Sequence, residues 1–170
     1  MSAAVVFAGP SLAGVAPPPG IDLRGPAMAG DLYLAARAGA RVIGLVDGLF
    51  EDRPAPRHTE ILWALGQGVR VFGAASLGAL RAADCAAFGM EGIGEIHALY
   101  ASGALEDDHA VALVHAPAEL GHAPLTEALV NVRATLAAAA AAGVLSGPAA
   151  GHLCALAESL HFKDLTWPRL

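Results

Sequence analysis

The chain has 170 residues, 55% of them hydrophobic and 15% charged, with 20 glycines, 11 prolines and an alanine content that dominates the apolar total. That composition excludes a disordered chain, and the many small side chains imply a core that backbone approaches closely. A net charge of −6 argues against a broad phosphate-binding surface, so no nucleic-acid partner is expected.

In chain order, Ala4 to Ala8 is a short apolar run closed by Gly9-Pro10-Ser11, which predicts a buried strand ending in a turn. It has no basic flank, so it reads as a first strand rather than a signal peptide. Pro17-Pro18-Pro19-Gly20 is a rigid connector, and Pro26 is expected to open a helix through Ala40. Arg41 to Val46 predicts the next strand, closed by Asp47-Gly48, and Arg57 to Gly66 predicts a helix. Val69 to Ala74 predicts a third strand that runs at once into a helix from Leu77 to about Ala87. The second half is more helical. Gly92 to Gly103 reads as a short helix, Ala110 to His115 as a fourth strand, and Leu125 to Ala142 as a long helix stopped by Gly143. A last helix starts at Ser146-Gly147-Pro148 and runs to about Leu160.

Apolar strands alternating with helices predict an α/β fold: a small, mostly parallel sheet flanked by helices, with a helical C-terminal part, in a single domain spanning 1–170. Right-handed crossovers would place Ser11, Asp47 and Ser76, each just past a strand, on one edge of that sheet. Open α/β sheets bind ligands there. No apolar run reaches the length of a membrane span, and Cys85 and Cys154 form no C-x-x-C, so a cytoplasmic protein without membrane contact is expected.

The most informative stretch is Val71-Phe72-Gly73-Ala74-Ala75-Ser76-Leu77-Gly78-Ala79-Leu80-Arg81. A strand, a serine, a glycine two residues on and a helix approach the nucleophile-elbow arrangement, although Gly73 lies one residue too far back for G-x-S-x-G. Ser76 would be the nucleophile, with the N–H groups of Leu77 and Gly78 facing a developing oxyanion. The competing reading is an ordinary serine N-cap. His58, in the first turn of the preceding helix, is a candidate base, and Asp47 would orient it or shape the pocket. Glu60 and Ser11 are candidate pocket residues, while Glu60 would otherwise complement its own helix N-terminus. Arg81 would hold a carboxylate; the alternative is an i,i+3 pair with Asp84. The Asp107-Asp108-His109 run reads as a cap to the following segment, so no metal and no other cofactor are expected.

Taken jointly, Phe7 to Leu12, Arg24-Gly25-Pro26 with Gly30-Asp31, Val42 to Phe50, His58 with Glu60-Ile61-Leu62, the Ser76 block through Ala83, Phe88 to Gly92, Asp107-Asp108 and Val130 to Arg133 resemble the TfuA-like proteins. The resemblance implies an accessory protein of YcaO-dependent peptide backbone thioamidation. Such a protein would take a thiocarboxylated, ThiS-like sulfur carrier, hydrolyse its thioacid and deliver sulfide, and would support the hold of the YcaO-type enzyme on its peptide substrate. It also implies a Ser–Lys pair, with the nucleophile on Ser76. Here the chain departs from the pattern: the expected lysine position holds Thr59, and the only lysine is Lys163. His58 in place of the amine, Lys163 folding back, or a noncatalytic adaptor that bridges enzyme and peptide are the three accounts this leaves open.

Overall fold

The computed structural model describes residues 3–49 and 53–170. Phe50, at the end of the resembling Val42 block, lies outside the described residues. Five strands, β1 (Ala4–Phe7), β2 (Ile21–Arg24), β3 (Val42–Leu45), β4 (Arg70–Ala74) and β5 (Glu91–Ile93), form one sheet in the order β2-β1-β3-β4-β5. Every neighbouring pair is parallel, with Phe7 opposite both Arg24 and Leu45, and Leu45 opposite Gly73. The α/β expectation holds.

The chain forms two compact units, one from 1–106 with 117–123 and the other from 107–116 with 124–170. The first contains the sheet with helices α1 (Asp31–Arg37), α2 (His58–Gly66), α3 (Leu77–Cys85) and α4 (Glu95–Ala101). Its core takes Val5 and Phe7, Ile43 and Leu45, and Val71 from alternate strand positions, packed with Leu32, Ala35, Ile61, Ala64, Ala82 and Cys85 from the helices. The period-2 burial is what a strand with one deeply covered face requires. The second unit is built on α5 (Leu129–Ala141) and α6 (Gly147–Ser159), with Val132, Leu136, Ala157 and Leu165 as its core.

Three expected elements differ. The segment after the prolines is not one helix from Pro26: Ile21–Arg24 is an edge strand, and Ala27 stays extended, its N–H donating to Asp47 O and its carbonyl accepting from Leu49 N. Helix α1 starts only after Gly30, whose φ of 97° is a left-handed turn that glycine adopts without steric cost. The outer strand on the other side is Glu91–Ile93, which overlaps the start of the stretch read as a short helix. Ala110 to His115 is not a strand but a 3-10 turn (Asp108–Val111) and a lone antiparallel bridge between His115 and Pro124. Among the described residues no helix is long and apolar enough to cross a membrane.

Candidate functional site

The turn from β4 into α3 is sharp. Ala75 has a φ of 56°, a left-handed conformation that costs an alanine about 1 kcal/mol. Ser76 follows at the N-cap, half-buried, and its side chain does not cap the helix. Two glycines allow the turn. A Cβ on Gly78 would run into the Leu45 carbonyl oxygen, and one on Gly73 into the carbonyl of Gly78. Helix α3 is therefore packed backbone to backbone against β3 and β4. The same proximity occupies one of the two expected oxyanion donors, since Gly78 N–H donates to Val46 O at 3.1 Å. The N–H of Leu77 has no hydrogen-bond acceptor among the described residues.

A second group joins the start of α2 to the second half of α3. His58 Nε2 lies 2.9 Å from Asp84 Oδ2, and Arg81 Nη1 donates to the same oxygen at 3.1 Å. Arg81 Nε donates to Pro56 O at 3.2 Å. The imidazole is half exposed while Arg81 is 18% exposed, so the guanidinium is the inner member of the trio. Along α3, Asp84 stands eight residues beyond Ser76, a rise of about 12 Å. His58 is thus anchored two turns along the helix. The i,i+3 spacing to Arg81 was the one sequence signal for Asp84; its contact with His58, 26 residues away, had none. Beside it, burial pushes the Cys85 thiol pKa up, the Asp84 charge adds to that and Arg81 opposes it, so the sulfur is a packed thiol.

Asp47 lies elsewhere on the same edge. Its carboxylate is 2% exposed and accepts from Gly9 N at 2.7 Å, Ser11 N at 3.0 Å and Ser11 Oγ at 2.7 Å. The structure therefore joins Asp47 to Ser11 and not to His58. The group sits between β1 and β3, where the strand order reverses, which is the crevice that doubly wound sheets use for ligands. Glu60, also buried, accepts from Gly30 N and Leu32 N at the start of α1 and from Arg57 N at the start of its own helix. One carboxylate thus serves two helix N-termini, whose orphan N–H groups and dipoles favour an anion.

In the other unit, Asp107 accepts from His109 N and caps the 3-10 turn, and His109 Nδ1 stands 3.1 Å from Asp108. All three are exposed, and their ligand atoms lie within 4.8 Å of one another, close enough to share a metal ion. Lys163, also in that unit, places its Nζ 5.7 Å from the Phe162 ring.

A family model described as TfuA-like protein matches residues 47–166, more than half of the chain, starting at the buried carboxylate at the end of β3. Among curated proteins, none matches.

Proposed function

Because the chain belongs to the TfuA-like family, we propose that it is an accessory protein of YcaO-dependent peptide backbone thioamidation that hydrolyses a thiocarboxylated, ThiS-like sulfur carrier at Ser76. The observation that carries this reading is the strained β4–α3 turn: Ala75 at a φ of 56° is followed by Ser76 at the N-cap of α3, next to the N–H of Leu77. Ser76 Oγ attacks the thioacid carbonyl carbon as its proton passes to a base, and Leu77 N–H with the positive end of α3 stabilises the oxyanion. The carbon–sulfur bond then breaks, hydrosulfide leaves with the proton, and water hydrolyses the acyl-serine to a carboxylate. Thiocarboxylate and water thus become carboxylate and hydrogen sulfide. His58 is the candidate base in the absence of lysine at position 59, and reaching Ser76 requires its ring to leave Asp84. Arg81 is the candidate carboxylate partner, and Asp47 with Ser11 shapes the neighbouring loop.

The test is sulfide release from purified carrier thiocarboxylate. Ser76→Ala should reduce it by about 1,000-fold or more, as loss of a nucleophile does in acyl-transfer enzymes. His58→Ala should cost less, and wild-type activity in Ser76→Ala would end the assignment.

A noncatalytic adaptor between the YcaO-type enzyme and its peptide is the second reading. Two observations favour it: the Gly78 N–H is already bonded to Val46 O, and His58 is held by Asp84. In that case capture of the YcaO-type enzyme survives Ser76→Ala, and the unaltered protein releases no sulfide.

A further inference from the structure

A cavity of about 270 Å³ opens at the carboxyl ends of β1 and β2, lined by Gly9, Leu12, Gly14, Arg24, Gly25 and His122 among others. It lies on the same sheet edge as Ser76, but β1 is two strands from β4, a spacing of about 10 Å, so it is a separate place on that edge. We propose that this cavity is a binding site for a small oxyanion-bearing ligand, a carboxylate or a phosphate, held by Arg24, with His122 forming part of its wall.

Three features support this. The first is the cation. Arg24 donates through Nε and Nη2 to a single oxygen of Asp22, at 3.0 and 2.8 Å. A guanidinium has five N–H donors, so the edge formed by Nη1 and the second Nη2 hydrogen still matches a bidentate oxyanion. Its carbon stands 5.8 Å over the Phe7 ring, which limits where that edge can point. The second is the imidazole. His122 adopts a φ of 54°, and its Nε2 lies 3.0 Å from where a Cβ on Gly25 would stand, so the ring is seated against bare backbone at the cavity wall. The third is the wall itself. The loop from Gly9 to Gly14 is tied down by the buried Asp47 carboxylate through Gly9 N, Ser11 N and Ser11 Oγ. Gly14, at a φ of 77°, presents its backbone with no side chain in the way. The wall is thus held in place before any ligand arrives, which lowers the ordering cost of binding. The volume, just below the usual range for drug-sized ligands, suits a small molecule or the end of a chain.

The full chain, titrated with inorganic phosphate, acetate and glycylglycine and followed by amide NMR, tests this, with N-acetylglycinamide as the uncharged control. At least one anion should move the amides of Gly9 to Val15, Gly25 and His122 saturably, and the control should not. Arg24→Gln should weaken binding about tenfold, as expected for loss of a bidentate charged contact. Gly25→Ala, which presses a methyl group on His122, should weaken it severalfold. Tighter phosphate binding identifies a phosphate ligand, and tighter acetate or glycylglycine binding a carboxylate. Absence of saturable shifts with all three anions, or equal affinity in Arg24→Gln, overturns the proposal. Anion binding should be unchanged in Ser76→Ala, so loss of sulfide release and loss of this site are told apart.

Discussion

The two units solve the same problem, burying apolar surface with unusually small side chains, in opposite ways. In the sheet unit the backbone itself is packed: α3 lies so close to β3 and β4 that Gly73 and Gly78 have no space for a methyl group. The same unit holds two buried carboxylates, Asp47 and Glu60, which accept from backbone N–H groups of the loop after β1 and of the starts of α1 and α2. The helical unit packs side chains instead. Val132 and Leu136 on α5 meet Ala157 on α6 and Leu165, Arg133 bridges to Glu158 at 2.7 Å on the outside, and the buried polar side chain among its described residues is Thr126, accepting from Val114 N. Position-specific glycine and acid mark the first unit, and helix propensity with an apolar seam marks the second. The candidate chemistry falls in the first, where geometry is most tightly determined.

The sharpest way to break this contrast is Gly78→Ala. The added carbon meets the Leu45 carbonyl oxygen, and backbone on both sides leaves nothing flexible to yield. The expected cost is about 4 kcal/mol or more, or no folded protein at all, seen as loss of the cooperative melting transition by circular dichroism. A mild effect would show that α3 can stand off the sheet, and with it would go the strained turn under Ser76. Next in size is Asp47→Ala. Removing the carboxylate leaves Gly9 N–H, Ser11 N–H and the Ser11 hydroxyl without their acceptor, at about 3 kcal/mol. Thr126→Val in the other unit strands one N–H and should cost about 1 kcal/mol. Amide hydrogen exchange checks both, with faster exchange after Asp47→Ala centred on Gly9 to Leu12 and after Thr126→Val on Val114.

The same contrast decides what was legible in the sequence. The parallel α/β core was, because Ala4 to Ala8, Arg41 to Val46 and Val69 to Ala74 are apolar runs punctuated by Gly and Asp, and the sheet places their ends on one edge as the crossover rule requires. The two edge strands were not. Ile-Asp-Leu-Arg alternates over only four residues, and Glu-Gly-Ile has three, with no fully buried residue in either, so neither offers a buried run long enough to register. At the candidate site, Ser76 at a strand-to-helix turn and Glu60 at a helix start follow from local order. The partners of Asp47 and His58 do not: Ser11 is 36 residues from Asp47, and Asp84 is 26 from His58, on an exposed helix face where any acid would look like a solvated one. Pairings of that range depend on how helices are set against the sheet, which no local pattern encodes.

The smallest expected effect has the opposite sign. Gly151 lies inside α6, exposed, with nothing within 4 Å of where a Cβ would stand. Unlike Gly78, it has no contact that demands glycine, and its cost is the backbone entropy a helix interior must remove. Gly151→Ala should therefore stabilise the helical unit by up to about 1 kcal/mol, because alanine restricts the unfolded chain and is the best helix former. For a chain of this size that is a rise of about 2–4 °C in Tm, read by calorimetry, with slower amide exchange confined to α6. One substitution, glycine to alanine in a helix of the same protein, is thus expected to abolish folding at position 78 and improve it at 151. A loss of stability at 151 would mean that the exposed face of α6 is closely covered, and the separation between a backbone-packed unit and a side-chain-packed one would no longer stand.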